Sequence, residues 1–452
     1  MLQKSKVNFI LDFYYGSSGK GQVATAIADR ERPEILTANH ATSASHTVID
    51  EDSGTEFVFK ALPTASVLNR IRSNYNPLVV IPSSSVFELE QIKKEIEYCK
   101  LTREQVIIHP RAVVLSQAHA DSEKGDGGTV HLGSTMSGQS YAVSEKITRK
   151  ANTKLAKDYE ELSKVAMVMP DDYFFPTIFM NAIINGQTIL AEMPQGYPLS
   201  IDHGPMYPYS TFRNITPTQF MADIGIAHTY VGAVVGNIRS LPIRVSNRFQ
   251  NDDMSNVEIL IGAKDEDTAG WVRPESIGMD YSDVNAITYD VAYLKKEVNF
   301  GNHIITDIKG VIGTSGPFEP DMKEISWREL SEDLTKKAGK DHEVHEITTL
   351  TKLTRRVAKM EDPDMSISQS MLKKFLTSCN PTHFAVTFMN YIDPNIEGIT
   401  DAAYLNDSEI VRDWATNAIV DIQTAYMESN MNGFPAIHII QTGKDLKNVL
   451  FL

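Results

Sequence analysis

Residues 7–22 read VNFILDFYYGSSGKGQ, and the fold follows from this stretch. Val7 to Phe13 is an apolar run of strand length, interrupted only by Asn8 and Asp12. Gly16, Gly19 and Gly21 follow at once, with Lys20 between the last two, and Val23 to Asp29 has the composition of a helix. A strand, a glycine-rich turn and a helix start make an anion site. Glycines let backbone N–H groups approach a phosphate, and the helix N-terminus favours negative charge. Lys20 adds a positive point charge. No Gly-Lys-Ser/Thr closes the turn, so the motif is P-loop-like and departs from the common P-loop pattern.

Working outward, strands and helices alternate, which predicts an α/β fold with a large, mostly parallel central sheet and flanking helices. Thr55 to Leu62, Pro77 to Pro82 and Gln105 to His109 read as strands. Ser84 or Ser85 caps an expected helix from Val86 to Lys100. A long helix is expected from Tyr141 to Leu162, opened by the turn 133–138. Helices at Phe175 to Asn185, Thr216 to Asp223, Ser366 to Ser378 and Asp407 to Met427 alternate with strands at Gln187 to Glu192, Phe384 to Met389 and Ala436 to Gln441. Ser240 to Val245 is short and extended. Residues 247–309 are rich in Asp, Asn and Gly and read as an inserted subdomain on the surface of a single domain spanning 1–452.

Composition narrows the function. The 452 residues are 42% hydrophobic and 22% charged, an ordinary globular balance. The net charge of −15, from 43 basic and 58 acidic residues, argues against nucleic acid and anionic membrane as partners. A phosphate ligand therefore needs a local positive site, which Lys20 and the Arg355–Arg356 pair can supply. Two cysteines, Cys99 and Cys379, give no disulfide framework and suggest a reducing, cytoplasmic compartment. No apolar run of spanning length and no signal peptide is visible.

Further pieces fall along the chain in a fixed order: SASHT (43–47), GSTMSG (133–138), QGYPLSIDHG (195–204), YPYST (207–211), PIRV (242–245), SGPF (315–318), TRR (354–356) and TGKD (442–445). Together with GSSGKGQ (16–22), these resemble the adenylosuccinate synthetase family and imply its fold. Two departures stand out. The family's glycine-rich loop carries Asp-Glu after its first glycine, where this chain has Ser17-Ser18. The family's guanine-reading Thr-Lys-x-Asp is here Thr387-Phe388-Met389-Asn390. Both resemble a phage branch of the family that acts on dGMP to make a 2-aminoadenine precursor, which would place the protein in infected host cytoplasm.

The resemblance implies a ligase that joins L-aspartate to C6 of a purine monophosphate, through a 6-phosphoryl intermediate, with Mg²⁺. Lys20, Ser17 and His46 take the catalytic places. Ser17, Ser18, Gly19, Lys20, Gly21 and Thr47 would hold the triphosphate, and Asn390, Gln441, Thr442 and Gly443 its base. Ser17 and Ser45 would ligate magnesium. Ser17, Ser43, Ser134, Thr135, Gln195, Thr211 and Val245 take the dGMP places. Arg149 would reach the monophosphate of a neighbouring subunit, implying a homodimer. Thr351, Arg355 and Arg356 would grip aspartate, with Arg244 supporting them; arginine's planar fork suits a carboxylate. Ser17 is small and uncharged, leaving room for a guanine 2-amino group, and a hydroxyl still accepts a hydrogen bond. Asn390 carries no charge to prefer guanine in the donor, so ATP or dATP is expected over GTP. The alternative is an ordinary adenylosuccinate synthetase using IMP and GTP. A catalytically silent nucleotide-binding regulator is a third reading, and residues 247–309 could serve as a partner-binding or oligomerisation element.

Overall fold

The computed structural model describes residues 1–42, 45–50, 54–126, 132, 135–151, 153–170, 175–245, 247–251, 256–261, 271–272, 298–300, 303–305, 308–313, 315–348, 354–429 and 435–452. The opening unit is strand β1 (Lys6–Asp12), a turn, and helix α1 (Lys20–Glu31). In β1, Val7, Phe9 and Leu11 pack into one core cluster with Phe13, while Ile10 packs into another with Val23, Ala24 and Ile27 of α1. Both faces of the strand are therefore buried, which is why its sequence is a continuous apolar run and does not alternate. Asn8 is tolerated because its side chain is used in full. Its Oδ1 accepts from Gln3 N and Ala233 N, and its Nδ2 donates to Ile189 O.

Strand β1 lies inside a ten-stranded sheet. From one edge the strands are Val449–Phe451, Ala436–Gln441, His383–Thr387, Val231–Arg239, β1, Thr188–Gly196, Ile35–Ala38, Leu78–Ile81, Val106–Ile108 and Met167–Val168. Every neighbouring pair is parallel except the first, which is antiparallel. A three-stranded antiparallel sheet of Ile243–Arg244, Arg356–Met360 and Met322–Ile325 stands beside it. The α/β architecture matches the expectation, and among the described residues no helix is long and apolar enough to cross a membrane.

Two helices differ from their sequence reading. Val86–Glu88 is a strand paired in parallel with Val113–Leu115, and the helix runs only from Leu89 to Tyr98. Val86 and Phe87 suit a pleated surface better than a helix turn, and Ser85 Oγ donates to Ala38 O instead of capping. The expected 141–162 helix is Gln139–Ile147, a break, and a short helix Glu160–Val165. The break is imposed from outside: Leu155 bridges to Val113, and Ala156 N donates to Ala112 O, pulling the chain back onto the sheet.

Within 247–313, the strands Asn247–Asn251, Asn256–Ile261, Trp271–Val272 and Ile308–Gly313 form a sheet of their own, and Val298–Phe300 pairs with His303–Ile305. Residues 262–270 and 273–297, the middle of the expected insertion, lie outside the described residues.

Phe375, on helix Gln369–Cys379, joins the core to β1: its ring meets those of Phe13 at 5.2 Å, Tyr197 at 5.5 Å and Phe384 at 6.3 Å. It is fully buried. Phe375→Ala should destabilise the protein by about 3–5 kcal/mol in denaturant unfolding, since it removes a fully buried ring and leaves a cavity among its neighbours.

Candidate active site

A cleft of about 880 Å³ opens at the C-terminal ends of the parallel strands, where ligands of open α/β sheets bind. Its wall is formed by the segments that leave five of these strands: 13–22 after β1, 45–49 after Ile35–Ala38, Gln195 to Phe212, Phe388 to Tyr391, and Gln441 to Lys444.

The turn after β1 is strained and tightly held. Ser17 has φ 51°, and Gly19, which caps α1, has φ 70°. The positive φ favours glycine at position 19, and a side chain there would also crowd Gln441 Oε1 at 2.8 Å and Phe388 at 3.3 Å. Beneath the turn sits Asp12, the last residue of β1, 2% exposed. Its Oδ2 accepts from Lys20 Nζ at 2.9 Å, and its Oδ1 accepts from Ser18 Oγ and, at 3.3 Å, from Asn237 Nδ2. Lys20 Nζ also donates to Gln195 O at 3.1 Å.

Ser17 faces the cleft with both its polar groups engaged. Its carbonyl accepts from Arg239 Nη1 at 2.7 Å, and its hydroxyl accepts from Arg355 Nη1. The two arginines share Glu346, which pairs with Arg239, lies 3.8 Å from Arg355 Nε, and accepts from Tyr391 OH at 2.9 Å. Arg239 also lies over the Phe388 ring, 3.6 Å from its centroid.

Across the cleft, His46 Nδ1 meets Glu192 Oε1. Glu192 is fixed from behind by Thr64, whose N and Oγ1 both donate to Oε2, at 2.8 and 2.7 Å. Burial pushes the Glu192 carboxyl up, but the His46 imidazole, with lesser help from His40 and Lys20, outweighs it and holds the group at about 2. His40 packs against His46 with ring centroids 4.4 Å apart and the rings tilted by 58°. Burial, then the neighbouring His46, pushes His40 well below the usual imidazole range.

The cleft gathers most of the residues singled out in the sequence: Ser17, Ser18, Gly19, Lys20, Gly21, Ser45, His46, Thr47, Thr135, Gln195, Thr211, Arg244, Val245, Arg355, Asn390, Gln441 and Gly443. Two expected members, Arg356 and Thr442, are placed elsewhere, while Arg149 is expected at a neighbouring subunit's site and not at this one. Arg356 is 1% exposed and faces away, bonded to Glu324 and to Gly316 O at 2.6 Å, because it follows Arg355 on an extended segment and adjacent side chains point to opposite faces. Thr442 is buried, its hydroxyl donating to Ile399 O at 2.8 Å. Arg149 is exposed at the end of its helix, off the cleft. Ser43, Ser134 and Thr351 lie outside the described residues. The structure adds Asp12, Glu192, Arg239 and Glu346. Asp12 and Glu192 were signalled by being acids inside apolar strands; Arg239 and Glu346 carried no local signal.

The adenylosuccinate synthetase family model matches residues 9–162. An N6-succino-2-amino-2'-deoxyadenylate synthase of Salmonella phage PMBT28 is 28% identical over 405 residues, covering 87% of this chain and 88% of the relative. An adenylosuccinate synthetase of Pyrococcus horikoshii is 28% identical over 235 residues, 51% of this chain and 64% of the relative. Among solved structures, the succinoaminodeoxyadenylate synthetase of Cyanophage S-2L bound to dGMP and dATP shares the fold at a TM-score of 0.64, with 24% identity over 99% of this chain and 95% of that one.

Removing the charge from Asp12 strands a buried ammonium. Asp12→Asn should cost about 3–5 kcal/mol in denaturant unfolding and weaken nucleotide binding, as the turn loses its anchor. Glu192 has a depressed carboxyl, so its contribution to stability is complete above its ordinary value of 4.5 and is lost as pH falls toward about 2. Glu192→Gln should abolish that acid-side slope in denaturation midpoints and lower kcat at neutral pH by about 10²-fold.

Proposed function

We propose, from the premise that this chain belongs to the adenylosuccinate synthetase family and is a ligase of that kind, that it joins L-aspartate to C6 of dGMP at the expense of ATP or dATP. An oxo group leaves poorly. Transfer of the γ-phosphoryl group to O6 makes it a good leaving group; the aspartate amine then attacks C6, and phosphate departs with that oxygen. The protein's part is positioning and neutralising charge around the transferred group.

The observation that carries the substrate is Ser17. Its hydroxyl lies in the cleft, held by Arg355, where the family's carboxylate is expected. A guanine 2-amino group beside N1 needs room and an acceptor, and a serine oxygen provides both. The phage relative, named for a 2-amino-2'-deoxyadenylate product, aligns over 87% of the chain, against 51% for the archaeal adenylosuccinate synthetase. The donor base fits between Phe388, Asn390 and Gln441. Gln441 Oε1 is buried without a hydrogen-bond partner, an acceptor that suits the 6-amino group of adenine and has no use for the 6-oxo group of guanine. The phage structure that holds dGMP also holds dATP.

His46, oriented by Glu192, stabilises charge on the bridging oxygen. Arg355 receives an aspartate carboxylate. Ser17 and Ser45 offer oxygen atoms beside the triphosphate site, a donor set that fits Mg²⁺ if phosphate oxygens complete it; the ion would neutralise the transferred phosphoryl group. Arg149, exposed and off the cleft, is assigned to the monophosphate site of a second copy in a homodimer. The segment 247–309 is assigned as an inserted subdomain.

Steady-state assays crossing IMP, GMP and dGMP with ATP, dATP and GTP test the reading. Turnover should require dGMP with ATP or dATP, and Ser17→Asp should shift the dGMP-over-IMP ratio of kcat/KM toward IMP by at least about tenfold. Turnover confined to IMP with GTP would overturn the substrate assignment.

A further inference from the structure

Behind the phosphoryl-transfer histidine lies a donor cluster that the reaction does not need in full. His40, His46 and Glu192 each present a ligand atom, and these atoms lie within 4.8 Å of one another. We propose that the three side chains form a binding site for Zn²⁺ or a similar borderline transition metal, and that occupancy of this site switches the ligase off.

The geometry favours a metal over a mere polar cluster. His40 is 1% exposed, and neither of its ring nitrogens has a side-chain hydrogen-bond partner, only the Leu62 backbone lying close by. Its Nε2 lies 3.9 Å from Glu192 Oε1, the same oxygen that meets His46 Nδ1. Thr64 holds the other carboxylate oxygen, so Glu192 is already oriented by an outer partner, as metal-bound carboxylates are. Two imidazoles and one carboxylate form a set that binds zinc tetrahedrally with one position left over. Zinc bonds of about 2.0–2.1 Å put tetrahedral donors roughly 3.3 Å apart, so a small movement of His40 closes the set. Magnesium requires oxygen donors and avoids imidazole, so the two ions would not compete for one site. His46 lines the cleft, which gives the ion an entry path and turns the open position toward the phosphates. With its Nδ1 on the metal, His46 loses Glu192 as its anionic partner and is no longer placed to stabilise the bridging oxygen. The binding claim stands on geometry alone; the switching claim rests on the role of His46 proposed above.

The full chain, in excess Mg²⁺, is titrated with Zn²⁺ against a chromophoric chelator, beside His40→Phe and His40→Asn. The wild type should bind one equivalent, and each folded variant should bind at least tenfold more weakly. Co²⁺ in place of Zn²⁺ should give the visible absorption of a four-coordinate site in the wild type alone, a readout that needs no variant. Zinc should inhibit wild-type turnover reversibly on chelation, and at least tenfold more zinc should be needed to inhibit each variant relative to its own zinc-free rate. Equal affinity in wild type and variants, or a wild type without the Co²⁺ absorption, overturns the site. Zinc held through His40 with turnover unchanged overturns the switch, and counts against His46 in phosphoryl transfer, while the ligand set stands.

Discussion

The buried pair of Asp12 and Lys20 underlies everything the cleft does. Two charges removed from water are costly unless their remaining hydrogen-bonding positions are filled, and here they are: Ser18 and Asn237 complete the carboxylate, and Gln195 O takes a second proton of the ammonium. The pair thereby ties the end of β1 to the adjacent strand Thr188–Gly196 and holds the turn in its left-handed backbone. An ammonium has three protons, and two are spent inside the protein. One remains, so Lys20 lines the cleft as a fixed point charge whose direction is set by the protein itself.

A second frame, of like design, sets position 17. Arg239 holds the Ser17 carbonyl, Arg355 holds its hydroxyl, and Glu346 holds both arginines while Tyr391 and Phe388 pack against the group. Arg239 comes from a central strand, Arg355 from beside the small antiparallel sheet, and Phe388 from the end of His383–Thr387. The site is thus assembled from segments more than three hundred residues apart in sequence, joined by a few charged contacts. A change at position 17 is therefore felt at Arg355 and Arg239 as well as in the cleft.

Much of this was legible in the chain. A run buried on both faces, a glycine turn and a helix can hardly fold otherwise, and the central strands follow from their apolar content. What was missed depends on contacts that no local pattern carries. Helix 141–162 looks continuous until Ala156 is seen bonded to Ala112. Arg239 is an arginine at the end of an apolar strand, and only the fold brings Ser17 and Glu346 to it. Arg356 was misplaced for a readable reason: two adjacent residues on an extended segment cannot both face the cleft, so one of the pair had to turn inward, and Glu324 received it.

The acids of the cleft separate into two kinds. Asp12, Glu192 and Glu346 are three that are each committed to a cation or an imidazole of the protein itself. At positions 17 and 390, where family members are expected to aim a carboxylate at a purine, this chain carries serine and asparagine. The distinction is physical. A buried acid with a protein partner is structural, and its loss leaves a cation stranded. An acid aimed at a base is a reader, and replacing it with a neutral group of similar reach changes which donors and acceptors are matched while the scaffold stays intact. A decayed enzyme would lose both kinds without discrimination. The substrate reading proposed above predicts this combination: neutral groups at the two reading positions, with Asp12, Glu192 and Glu346 still paired.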